Sequence, residues 1–456
     1  MEDQQGQSGD SHAVNIPPLA QELTEQLGNN HLLTVQTGQG SPLCSITIVQ
    51  DRRLMRNVDE AMYDPDHISI GPYHRIAMDT DKLTCLRTVL SAASTGTALD
   101  VYVDELERLE VQARRCYAHS LQNITSREFV RMLLLDGCYL LVRFGEISAG
   151  ESRNHVVEGA GLSNGHVTAG SRDGLEALAV VRDVLYLAEN QIPFFILDKI
   201  LQITVSDTNA YAGDKIMLFV QALLKRHQYS VAPLPPPAMR PGNLLHLLHM
   251  HLKPTNPPSD STGKMKLGRW RTATEYYFVG VTFKPRPLDG DRVQSILDVN
   301  LRSGTLEIPP LNIDAETWRI LHNLMALEQS NPEVAGSHVT AYCVFMSQVA
   351  CTAADVDLLS GKGIMAHLLG NSGEVADRFA KLCKGIVFDL DDSHSNYPRA
   401  SCEEVEERFQ SRVRRWMAWL GRKYFDNPWL FIGLVAAAVG LTCSVVQSVY
   451  AVLSYK

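Results

Sequence analysis

A chain of 456 residues, 45% hydrophobic and 20% charged, has ample material for a buried core, and its length admits either two or three domains or one long helical body. A net charge of -9 and a pI near 5.9 argue against the basic stripe of a nucleic-acid-binding surface. Nine scattered cysteines, an odd number with no CxxC pair, describe reduced thiols rather than a disulfide framework.

Residues 1–43 are rich in Gln, Gly, Ser, Asn and Asp and are expected to be disordered, with no hydrophobic stretch of the kind a cleaved secretory signal requires. Order is expected from Cys44, with an extended piece over 45–49 and then the turn-rich stretch DPDHISIGPYH at 64–74. From 83 to 141, Leu106, Leu109, Val111, Phe129, Met132, Leu133, Leu140 and Leu141 recur at helical spacing, and Ser126 reads as an N-cap. Residues 145–174 are dense in Gly, Ser and Asn without apolar period, and are expected to form a long flexible loop, functional or disordered.

Helical signal returns over 175–203, where Pro193 is expected to end or kink one helix near Gln191 and to start the next. A helix over 215–224 leads into a Pro-rich linker at 228–242, NLLHLLHMHL makes a short helix, and 254–270 is a polar linker. Beyond 271, a helix end and a strand are expected over 275–283, and two β-branched runs around Arg302, Ser303 and Gly304 predict a hairpin. Helices are predicted over 315–328, 337–351, 355–369 and 373–383. A charged helix from 403 then carries Val405, Phe409, Val413, Trp416 and Leu420 as an apolar stripe.

The segment from Trp429 to Leu453 holds 25 residues without an Asp, Glu, Lys, Arg or His. At about 1.5 Å per residue it outreaches the roughly 30 Å hydrocarbon core of a bilayer. Leu430, Phe431, Ile432, Leu434, Val435, Val439 and Leu441 face all directions, as in a transmembrane helix rather than an amphipathic core helix. Arg412, Arg414, Arg415, Arg422 and Lys423 precede the segment and Lys456 follows it, so the body is expected to be cytosolic, on a plasma membrane or endomembrane. The sequon at Asn123 should then stay unmodified. The fold class expected is mainly α: a multi-helix body over 44–425, a small β element and one C-terminal transmembrane helix at 429–453.

Chemistry is sparse. No phosphate-binding glycine loop, H-E-x-x-H or G-x-S-x-G is present. His246, His249 and His251 have metal-ligand spacing in part, but with leucines between and no Cys or carboxylate close by in sequence, packing is the simpler reading. Asp136, Gly137 and Cys138 place a thiol beside a carboxylate with no positive partner in view, which raises a thiol pKa instead of activating it. Glu189, Asn190 and Gln191, set between large apolar residues and followed by Pro193, read as a buried hydrogen-bond network at a helix break. No catalytic residue, cofactor or metal is assigned.

Those stretches also carry a resemblance. ISIGPYHR (with Gly71, Pro72, Tyr73 and His74), MLLLDGCYLL (Asp136, Gly137, Cys138), DVLYLAENQIPFFIL (Glu189, Asn190, Gln191, Pro193), TATEYYFVGVTFK, GTLEIPPLNID, LMALEQ and DVDLLSGKGI occur in that order. So ordered, they resemble the signature blocks of the plant family of unknown function numbered 247, also called uncharacterised protein family 0481. The start of the first block, at 49–52 and Asp59, departs from the family pattern, as does the length of the 145–174 loop. The resemblance implies a plant protein with a helical body and a C-terminal anchor, and brings no established catalytic residues. Some members in grasses are associated with self-incompatibility loci as proposed recognition factors. The expectation is therefore a membrane-anchored recognition or signalling component, contacting lipid and an unidentified protein partner but no nucleic acid. An enzyme of new type using Asp136, Cys138 or Glu189 and a constitutive membrane scaffold are the alternatives.

Overall fold

The computed structural model describes residues 45–46, 62–74, 79–94, 97–147, 180–235, 239–255, 269–392, 396–410 and 428–454. The expected disorder at 1–43, most of the loop at 145–174, most of the linker at 254–270 and the basic flank of the terminal segment lie outside these residues. By its contacts the chain divides into Met1–Leu43 and Cys44–Lys456, and every residue described belongs to the second unit.

Three helices begin the body: α1 (Asp79–Ala92), α2 (Leu99–Arg115) and α3 (Ser126–Arg143). The third is the central one, buried from Phe129 to Val142 apart from Arg131 and Met132 and packed against α1, α2 and α4 (Phe194–Val205). Its N-cap is Thr125 rather than the predicted Ser126. Thr125 Oγ1 accepts from the Glu128 amide while the Glu128 carboxylate accepts from the Thr125 amide, and this T-x-x-E reciprocity decides the boundary. A helical stretch at 180–186 leads to the break at 187–193. Pro193 caps α4, in line with a proline's tolerance just before a first turn.

Next come α5 (Gly213–Arg226), α6 (Leu244–Met250) and α7 (Ala273–Phe278). Strands β1 (Thr282–Pro285), β2 (Asn300–Arg302) and β3 (Thr305–Ile308) form a small sheet in the order β1-β3-β2. The β2–β3 hairpin turns through Ser303 and Gly304, both at positive φ (51° and 83°), as a two-residue turn matched to strand twist requires. Parallel pairing of β1 with β3 was not legible from the alternation.

Strand β4 (Leu311–Ile313) precedes α8 (Ala315–Ser330), α9 (Pro332–Ala335), α10 (His338–Val349) and α11 (Ala353–Gly361). Here the predicted helix over 355–369 is corrected. It stops at Gly361, and Gly363 at φ 73° turns the chain while the Ile364 amide bonds back to the Leu359 carbonyl at 3.0 Å. Met365–His367 is released as β5 and pairs in parallel with β4. Helices α12 (Ser372–Leu382) and α13 (Arg399–Gln410) complete the body. One continuous apolar core links all these layers, with Trp270, Trp318, Tyr342 and Phe345 among its fully buried side chains.

Helix α14 runs from Pro428 to Ser454, and Ile432, Val439 and Leu441 on it are exposed. Among the described residues no single helix is long and apolar enough to cross a membrane; the described apolar stretch of α14 is Ala436–Ser448. The fold is mainly α with a small β element, and the span expected at 429–453 belongs with the functional proposal.

Asp314 offers a pH test of how α8 is held. Its carboxylate caps the helix, accepting from the Glu316 and Thr317 amides at 3.0 and 2.9 Å, and faces His227 Nδ1 at 3.4 Å. Partial burial pushes its pKa up, but hydrogen bonds from His227 and Thr317 outweigh this and lower it from 3.8 to about 2. A folded-state pKa below the unfolded value stabilises the protein above pH 3.8, and that contribution is lost as pH falls towards about 2. Asp314→Asn should therefore lower the denaturation midpoint at pH 6, and its deficit relative to wild type should shrink as pH approaches 2.

Candidate functional site

Residues 66–71 belong to no helix or strand, and from Ile68 onward they are buried, so the amides there need partners from elsewhere. Side chains supply them. Asp183 accepts from the Asp66, His67 and Ile68 amides at 3.2, 2.6 and 2.9 Å. Asn190 accepts from the Ile70 amide at 2.6 Å and donates to the Ile68 and Asp183 carbonyls at 2.9 and 3.0 Å. Asp136 accepts from the Gly71 amide at 2.7 Å. Lys82 donates to the Ser69 carbonyl at 2.7 Å and pairs with the other Asp136 oxygen at 2.6 Å.

Asp136 and Lys82 are both buried, so this ion pair was formed at the expense of hydration on both partners, and removing one would leave the other uncompensated. The positive partner missing from the sequence reading is thus Lys82, 54 residues upstream on α1. The neighbours of Asp136 on α3 do different work. A Cβ on Gly137 would collide with Ile200, so glycine lets α4 approach closely. Cys138 is fully buried, and burial drives its thiol far above the usual range, as burial also lifts Cys85 to about 11. The Asp136 and Cys138 pair therefore lacks the lowered pKa a nucleophile needs.

Gly71 sits at φ 80°, and a Cβ there would strike the Gln191 carbonyl oxygen. Gln191 itself joins three segments: its amide nitrogen donates to the Val184 and Leu187 carbonyls, and its oxygen accepts from the Leu244 and Leu245 amides at the start of α6. Pro72 is buried, and Pro193 precedes Phe194, whose amide bonds to the Gly242 carbonyl at 2.9 Å. Tyr73 donates to the Ile46 carbonyl at 3.0 Å and packs edge-on against Tyr117, which donates to the Gln191 carbonyl. Gly71, Tyr73, Asp136, Asn190 and Gln191, scattered over more than a hundred positions, converge in this one cluster.

At its rim His74 Nε2 lies 3.2 Å from the buried Glu189 carboxylate, and with Asp64 these residues offer three ligating atoms within 4.8 Å of one another. A second such group is His249, Glu328 and His338. The three histidines of the α6 segment do not share one task. His246 Nδ1 accepts from the Gly242 amide, His251 Nδ1 meets the Leu247 carbonyl, and His249 Nε2 lies 2.8 Å from Glu328 Oε1. The carboxylate absent from the local sequence thus comes from α8, 79 residues on.

The family model described as a plant protein of unknown function, DUF247, matches residues 48–443, and the chain belongs to this family. It is 24% identical to a UPF0481 protein of Arabidopsis thaliana over 434 residues, covering 86% of this chain and 83% of that protein. A putative UPF0481 protein of the same plant is 24% identical over 168 residues, covering 36% of this chain and 28% of that one. No solved structure matches.

Gly71→Ala tests the cluster. Left-handed backbone at a non-glycine residue and the clash with Gln191 should together cost at least about 2 kcal/mol, read as a lowered midpoint in equilibrium denaturation. An unchanged midpoint would show that residues 66–71 do not pack as described.

Proposed function

We propose that the protein is a membrane-anchored recognition component, held by α14 as a single span with its body on the cytosolic side. The observation that carries this reading is the character of α14. It is a helix of 27 residues with no acidic or basic side chain, and Ile432, Val439, Leu441, Val445 and Val446 on it are all exposed. The described apolar stretch, Ala436–Ser448, is too short to span by itself, so the reading rests on the uncharged sequence continuing over Trp429–Leu453, which as one helix at about 1.5 Å per residue would reach past a hydrocarbon core of roughly 30 Å.

Its polar members are compatible with lipid. Thr442, Ser444 and Ser448 each donate to a carbonyl one turn back, on Ala438, Gly440 and Ser444, so none of these hydroxyls needs water. The basic residues at 412–423 favour the cytosolic orientation and add attraction to an anionic leaflet. A recognition role is supported by how the signature groups are used: Asp136, Asn190 and Gln191 are spent on backbone amides and carbonyls, and the Cys138 thiol is buried.

Self-incompatibility recognition is the narrower form of this reading. Allelic substitutions concentrated in 145–174 would support it, whereas an invariant loop would favour a constitutive scaffold. The anchor is tested by ending the chain at Asn427 and floating lysates on a density gradient. The full chain should float with membranes through alkaline carbonate washing, and the shortened chain should stay in the soluble fraction. A shortened chain that still floats would contradict the reading.

A further inference from the structure

We infer that His249, Glu328 and His338 form a buried site for a divalent transition-metal ion of the zinc type, which ties α6 to the α8–α10 junction. The residues come from three separate elements: α6, the last turns of α8 and the first position of α10. One ligating atom from each lies within 4.8 Å of the others, and the two imidazole centroids are 4.4 Å apart. Glu328 Oε1 lies 2.8 Å from His249 Nε2 and 3.8 Å from His338 Nδ1. Ligands around a tetrahedral zinc at 2.0–2.1 Å are separated by about 3.3 Å. The two observed separations bracket that value, and the third lies within 4.8 Å.

The surroundings suit an ion. Glu328 is fully buried, and among the described residues its ion-pair partners are the two histidines, with no Lys or Arg. A buried carboxylate in that position gains from a cation. Its orientation is fixed by the Val339 and Thr340 amides at 2.9 and 2.7 Å, as a metal ligand's outer contacts are. His249 uses one ring nitrogen on Glu328, and its buried Nδ1 has no hydrogen-bond partner. The Lys253 ammonium is near enough to both rings for its charge to be felt there. The His338 side chain retains 15% exposure, which provides a way in. Lys253 opposes the ion, and its effect is limited by its exposure to solvent.

The experiment uses the full chain in detergent, stripped with chelator and then titrated with zinc, and separately with cobalt(II). One equivalent of zinc should bind, and cobalt should develop the intense visible absorption of a tetrahedral site. Glu328→Gln and the rim variant His338→Gln should weaken zinc binding at least about 100-fold, while His74→Gln at the other cluster leaves it unchanged. Circular dichroism reports folding of each variant. Failure of folded wild-type protein to bind zinc, equal binding by folded Glu328→Gln and His338→Gln, or loss of binding in His74→Gln would each overturn the site. Should the variants not fold, the wild-type titration and its cobalt spectrum decide alone.

Discussion

The body depends on one constraint: the backbone at 68–71 lies in the interior outside any helix or strand among the described residues. From Asp66 to Gly71, five amides and two carbonyls are satisfied by Asp183, Asn190, Asp136 and Lys82. Each buried one, from Ile68 onward, would cost about 1–3 kcal/mol if left without a partner, so these four side chains act as a substitute strand. Because they stand on α1, α3 and the segment before α4, satisfying the backbone also fixes how those elements meet.

This arrangement gives the signature blocks a physical reading. Gly71 is required by a left-handed turn pressed against the Gln191 backbone, Gly137 leaves room for the tip of the Ile200 side chain, and Asn190 serves by its ability to accept and donate at once. Such groups are committed to folding. On the proposed recognition reading, a surface that distinguishes one partner from another would be built from residues outside the cluster, and the cluster would hold that surface still.

The helices were legible because apolar residues at three and four residue spacing leave one answer for a buried face, as in Phe129, Leu133 and Leu140 of α3. The hairpin was legible because Ser303 and Gly304 suit a tight turn. What escaped was non-local. Lys82 cannot be matched to Asp136, nor Glu328 to His249, from neighbours in the chain, since each pair forms only after several helices have packed. Strand β5 escaped for a related reason: Ile364 and Met365 continue a helical period, and Gly363 with the waiting edge of β4 overrides it. Polar side chains set among large apolar ones, as at Asn190 and Gln191, were the visible sign of the network, but not of the segment it serves.

Native-state hydrogen exchange at the amides of Ile68, Ile70 and Gly71 tests the substitute strand most directly. Although none lies in a helix or strand, they should exchange as slowly as the buried amides of α3, opening only with the body as a whole. Exchange at the rate of an exposed loop, with α3 still protected, would contradict the account.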